Sequence, residues 1–182
     1  DFYELKVFPN GADPLPGTYV YLDGQDLRII PRSVGYTTAS STSPVQNDVS
    51  RYYKLLSEGQ KELAAAYNTA KVNLSARINQ AQATGEELHV LATNLSEAQE
   101  QYATVETDIT RRFIGSNPGS LFSAFLLDRI NDDELSRDPA YYRALFNKLD
   151  KEVKGSFYGK KFNLRVQENL KAIAGATTVS LF

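Results

Sequence analysis

From Pro44 onward, apolar residues recur at helical spacing. Val45, Val49, Tyr52, Leu56, Leu63, Tyr67, Ala70, Leu74, Ile78 and Ala81 fall three, four or seven apart, which places them along one helix face. Ser43 stands at the N-cap, and Pro44 occupies the first helical position, where its missing N–H costs no hydrogen bond. Ala83-Thr84-Gly85 interrupts this stripe, and a second runs through Leu88, Leu91, Leu95, Ala98, Tyr102, Val105, Ile109 and Phe113. Threes and fours alternating over that length form a heptad pattern. Two such stripes joined by a short glycine-containing loop predict an antiparallel helical hairpin over residues 44–114. Each of its helices should be roughly 40–55 Å long at about 1.5 Å per residue.

The remaining chain punctuates itself clearly. Asn117-Pro118 and Asp138-Pro139 each join a capping side chain to a proline at the first helical position, predicting helices at about 118–131 and 139–150. The first carries Leu121, Phe122, Ala124, Phe125, Leu126, Leu127 and Ile130, apolar nearly all round, and so should be buried. A last helix over about 158–173 carries Phe162, Leu164, Val166, Leu170 and Ile173.

The first 31 residues read as β structure. Phe2–Phe8, Thr18–Leu22 and Asp26–Ile30 are rich in aromatic and β-branched residues, with Asp23-Gly24 as a turn dipeptide before the last. Two or three short strands are marginal alone, so this unit must pack on something else or continue upstream of Asp1. Residues 32–43, hydroxyl-rich and without apolar period, read as a linker. The expected fold is therefore α+β and predominantly α. It comprises a truncated small antiparallel β-module, a long antiparallel helical hairpin and three shorter helices.

Composition narrows the chemistry. The 182 residues include 42% hydrophobic positions, enough for a real core, and a formal charge of -2 without a Lys/Arg cluster, so no nucleic-acid footprint is expected. No apolar run approaches the roughly 18 residues of a membrane span. The absence of cysteine removes disulfides, thiolate nucleophiles and Cys-x-x-Cys chemistry. The chain also lacks methionine, so Asp1 reads as a processed or truncated start within a longer protein.

Candidate sites are few, and each has a simpler structural account. Asp128, Asp132, Asp133 and Glu134 offer oxygen ligands suited to Ca²⁺ or Mg²⁺, but lack the alternation and central glycine of a calcium loop. A solvated interhelix turn, with Asp132 or Asp133 as cap, accounts for them better, and no metal is expected. His89, off the apolar stripe and beside Glu86 and Glu87, has no nucleophile at useful spacing. Asn73-Leu74-Ser75 and Asn94-Leu95-Ser96 match the glycosylation triplet but fall on predicted helices. Tyr19, Tyr21, Tyr52 and Tyr53 could line a ligand groove, although tyrosine in a core without Trp or Met more often supplies bulk. Neither a phosphate loop nor a nucleophile elbow is present. No catalytic, cofactor or metal residue is assigned, and an enzyme working by carboxylates alone has no legible pair.

The segment Phe113-Ile114-Gly115-Ser116-Asn117-Pro118-Gly119-Ser120-Leu121-Phe122-Ser123-Ala124 resembles an "F-I-x-x-N-P-x-S-x-x-S" signature. That signature lies in the N-terminal accessory region of extracytoplasmic thioredoxin-like proteins. These are the TlpA/ResA-type, AhpC/TSA-like thiol-disulfide oxidoreductases of Gram-negative bacteria. Leu149, then Val153-Lys154-Gly155-Ser156-Phe157-Tyr158-Gly159-Lys160, is similar to the family's "L-x-x-x-V-K-x-S-x-Y-G-K". Tyr21–Ile29 is similar to the final hairpin of its small β-sandwich module. Residues 176–182 then begin like its linker to a thioredoxin domain, without the usual Ala-Pro step and before any cysteine. The resemblance implies a periplasmic accessory domain, lipid-anchored through residues ahead of Asp1. Its role would be positioning, dimerisation or partner recognition for a downstream Cys-x-x-Cys domain. The rival expectation is a stand-alone helical-hairpin scaffold that binds a protein partner.

Overall fold

The structure, a computed structural model, describes residues 1–8, 17–30, 36–78 and 84–179. It is α+β and predominantly α. Strands β1 (Phe2–Leu5) and β2 (Thr18–Tyr21) pair antiparallel with Phe2 opposite Tyr21, and β3 (Arg28–Ile30) pairs antiparallel with β4 (Thr38–Ser40). Two readings of the sequence change here. Strand β4 lies inside the stretch taken as a linker, because Thr38 and Ser40 suit a ladder while only Ala39 turns inward, leaving no apolar period to see. The Asp23-Gly24 turn, with Gly24 at φ +85°, joins strands of two different sheets and closes no hairpin.

The small β1–β2 sheet gains its stability from the helices. The ring of Phe2 sits 5.4 Å from Phe122, 4.3 Å from Phe125 and 5.4 Å from Tyr158, centroid to centroid. The outer edge of β2 is closed by side chains of the following helix. The Tyr19 amide donates to Tyr53 Oη at 2.8 Å and the Tyr21 amide to Gln46 Oε1 at 2.7 Å. That edge therefore offers no free ladder to a second chain.

Helices α1 (Pro44–Gly59) and α2 (Lys61–Ile78) carry the first stripe, and α3 (Gly85–Ser116) the second. Ser43 caps α1 by accepting from the Gln46 amide, with Pro44 in the first turn. The expected single helix is interrupted at Gln60, although the ladder continues from Gln60 N to Leu56 O and from Ala64 N to Gln60 O. Next to it Gly59 lies close against α3, where a Cβ would meet the tip of the Ile109 side chain at 2.5 Å. At the tip, Thr84 and Glu87 form a reciprocal capping box, and Arg77 reaches Glu87 at 2.6 Å. These bonds hold the Glu87 carboxyl below its ordinary range, the Thr84 amide first and Arg77 second.

The rest is a compact helical base of α4 (Leu121–Arg129), α5 (Asp132–Arg137), α6 (Pro139–Lys148), α7 (Lys151–Gly155) and α8 (Phe157–Val179). Helix α4 starts at Leu121, not at Pro118. Asn117 closes α3 instead: its Nδ2 donates to Phe113 O at 2.7 Å, and the Ser123 hydroxyl donates to its carbonyl. The acidic stretch is a short helix rather than a turn, capped by Asn131, whose Oδ1 accepts from the Glu134 amide. Helix α8 runs past 173 into the stretch read as a linker, since nothing from Ala172 to Ala176 breaks a helix as proline would. The core lies where α1, the end of α3, α4, α6 and α8 meet, and it includes Phe122, Leu127, Leu135, Tyr142, Phe162 and Val166 at 0% exposure.

Candidate functional site

Of the acidic residues singled out from the sequence, Asp128, Asp132 and Glu134 enter ion pairs, and Asp133 is exposed. Asp128, with its side chain 3% exposed, accepts from Lys161 Nζ at 2.8 Å, and Arg165 bonds Ile130 O at 2.7 Å and Asp132 at 2.6 Å. Glu134 meets Arg111 at 3.2 Å and accepts from the Tyr142 hydroxyl. Among the described residues no group of three or more acids or imidazoles converges as metal ligands would. The network instead clamps α4 and α5 onto α8. Lys161→Met should therefore cost about 1–2 kcal/mol in urea unfolding, less than breaking a fully buried pair because Lys161 is half exposed. Lys161→Met combined with Asp128→Asn should recover most of that loss.

His89 is exposed on α3, and Asn73 and Asn94 are exposed on helical backbone. The tyrosines behave differently. Tyr19, Tyr52 and Tyr53, joined by Tyr36, line a pocket of about 390 Å³ between the β1–β2 sheet and helices α1, α3 and α4. Tyr21 does not line it and packs on Phe2 at 4.8 Å. Tyr52 and Tyr53 also belong to the core, at 4% and 6% exposure, so bulk and lining are the same side chains. Burial pushes the hydroxyls of Tyr36, Tyr52 and Tyr53 far above the ordinary tyrosine range, so all three stay protonated.

Local hydrogen bonds fix these rings. The Thr110 hydroxyl donates to Glu106 O at 2.8 Å, so Tyr52 Oη must donate to Thr110 Oγ1, also at 2.8 Å. Tyr53 Oη accepts from the Tyr19 amide. Tyr36 Oη donates to Gln60 Oε1 at 3.3 Å, and its ring lies 5.0 Å from that of Tyr53. The charged lining is unbalanced, with Glu4, Glu106 and Glu134 against Arg129. Glu134 is already paired with Arg111, and Arg129 stacks over Tyr19 with its guanidinium carbon 5.5 Å from the ring centre. Glu106 is an exposed residue on the wall, and the side chains around it raise its carboxyl above the ordinary range by desolvation.

Sequence reasoning missed Tyr36, Glu106 and Arg129. Tyr36 lies inside the stretch 32–43 read as a linker. Glu106 had a readable signal: it stands four residues after Tyr102 and three before Ile109, on the apolar face of the second stripe, where a carboxylate is out of place. No family model matches the chain, and neither a curated protein nor a solved structure matches it.

Proposed function

We propose that the chain is a non-catalytic interaction domain, the accessory arm of an extracytoplasmic thioredoxin-like thiol-disulfide oxidoreductase. The observation that carries this reading is the division of labour along the hairpin. None of the described side chains of α2 is buried, and α3 has no buried residue before Ile109. Along the arm the two helices pack on one another through half-buried Leu63, Tyr67, Leu74, Leu91, Leu95 and Tyr102, and α3 joins the core only from Ile109 onward. An α2 of 18 residues extends about 27 Å. Such an arm positions or recognises something.

The motif residues behind the family resemblance support the same reading, because they act as joints. Asn117 ties α3 to α1 through Arg51 at 2.5 Å, and the Asp150 amide donates to Pro118 O at 3.0 Å. Ser156 Oγ donates to Val153 O and accepts from the Gly159 amide, capping α8. These residues hold helices at fixed angles and carry no reactive group. A second reading, a free-standing hairpin scaffold, is favoured by Val72, Ile78 and Val90, exposed on the arm at 64%, 61% and 52%.

Replacing residues 62–103 by a short Gly/Ser turn in the full-length natural protein tests the proposal. The base should still unfold cooperatively, and reduction of insulin by the attached dithiol domain should be unchanged. Mixed disulfides with natural partners, trapped after removing the resolving cysteine, should disappear. An unaltered set of trapped partners would show that the arm recognises nothing.

A further inference from the structure

We propose that strand β1 is a self-association edge, along which a second copy of this chain lays its own β1 antiparallel and extends the small sheet across a two-fold axis. This inference stands apart from the accessory-domain reading, because the arm plays no part in it.

The ladder decides which backbone groups face outward. Leu22 N donates to Asp1 O at 2.9 Å, and the register that sets Phe2 opposite Tyr21 also sets Asp1 opposite Leu22. By the alternation of an antiparallel pair, Asp1, Tyr3 and Leu5 bond to β2, while Phe2 and Glu4 turn their backbone groups to the other side. The far edge of the sheet agrees. Tyr19 and Tyr21, which stand opposite Glu4 and Phe2, are the residues of β2 whose amides leave the ladder for Tyr53 and Gln46. The edge of β1 has no such closure beyond its first amide, which turns back from Phe2 to Asp1 Oδ1 at 3.0 Å. The Phe2 carbonyl and both backbone groups of Glu4 have no hydrogen-bond partner among the described residues, so the edge is a template for another strand.

Charge then selects the strand and its register. Continued by one step, the alternation turns Lys6 outward as well. Two-fold pairing of β1 with itself can set Glu4 opposite Glu4, Lys6 opposite Lys6, or Glu4 opposite Lys6. The first two oppose like charges, whereas the third matches opposite charges on both sides of the axis. Charged side chains ordinarily guard an edge strand against a second chain. Here their spacing makes the strand complementary to itself reversed. Within one chain Glu4 and Lys6 already meet at 3.6 Å, with side chains 41% and 55% exposed, so both remain within reach of a partner.

The same register brings together apolar surface that the fold leaves in water. Phe8 and Phe157 are the two most exposed large apolar side chains among the described residues, at 68% and 72%. With Glu4 opposite Lys6, the second copy's Phe8 falls opposite Phe2 and on the same face of the sheet. That face leads to Phe157: the Phe2 ring lies 5.4 Å from Tyr158, and Tyr158 lies 5.3 Å from Phe157. On the other face Tyr3, also exposed, falls opposite the second copy's Val7.

Sedimentation equilibrium of the full 182-residue chain tests the proposal. The contact is short, so a reversible dimer of twice the 20.2 kDa chain mass should form with a Kd of about 10–100 μM. Glu4→Lys and Lys6→Glu should each weaken association at least about tenfold, since each sets like charges against one another on both sides of the axis. An equimolar mixture of the two variants should associate like the parent, because opposite charges then face each other again. That recovery separates a broken interface from a damaged fold. Glu97→Lys, on the arm, should leave association unchanged. A parent chain that stays monomeric up to about 1 mM, single variants that dimerise as the parent does, or a mixture no tighter than either variant alone would overturn the proposal.

Discussion

Phe122→Ala should lower the unfolding free energy by about 3–5 kcal/mol, measured as a fall in urea midpoint at constant slope. Phe122 has no exposed surface, and its ring lies within 6.0 Å of the rings of Phe2, Tyr52, Phe113 and Phe125. These neighbours come from β1, α1, α3 and α4, so the side chain joins almost every layer of the base. They are themselves fixed by further contacts: Phe2 by Tyr158, Tyr52 by its bond to Thr110 and Phe125 by Tyr19. The space left by the ring cannot close by local movement, which puts the cost in the upper range for a lost aromatic side chain. Leu74→Ala on the arm is the internal comparison. Leu74 is only half buried on α2, so its truncation should cost about 1 kcal/mol.

Gly159→Ala should cost about 3 kcal/mol, although it adds only one methyl group. A Cβ at this position would stand 2.6 Å from the Lys154 carbonyl oxygen and closer still to that of Val153. Both obstacles are backbone, at the end of α7, so no rotamer change relieves them. Helix α8 would have to move away from α7, breaking the Ser156 cap that joins them. Thermal unfolding of Gly159→Ala beside Gly155→Ala provides the check. A Cβ on Gly155 meets nothing within 4 Å, so that variant should melt close to the parent. Equal melting temperatures for the two variants would mean that the α7–α8 junction is looser than described.

Most of the helical architecture was legible because it rests on periodicity and capping, both local properties of sequence. Ser43-Pro44 and Asp138-Pro139 start helices where expected, with Asp138 Oδ1 accepting from the Tyr141 amide at 3.0 Å. The departures come from interactions between distant residues. Asn117 reads as an N-cap until Arg51, 66 residues away, and Phe113 claim its side chain for the end of α3. The close packing of Gly59, beside the interruption at Gln60, is against Ile109, which no window around Gly59 contains. Strand β4 escaped notice because a three-residue strand with one buried alanine has no pattern. The pocket was half legible. Three of the four tyrosines considered for a groove line it, whereas Tyr36, Glu106 and Arg129 are brought there from separate elements by the fold.

The aromatic core and the joints at Asn117 and Ser156 form the base, from which the arm projects. The arm is the less stable part by construction. Its seam is half exposed, so it should open in hydrogen exchange without unfolding the base.

The accessory-domain account is tested most directly by the intact mass and thiol content of the natural protein isolated from its source. The account predicts a polypeptide exceeding 20.2 kDa by a further domain of about 100–150 residues, with two titratable thiols that reduce insulin. A natural polypeptide of 20.2 kDa without thiols would contradict it and leave a free-standing scaffold.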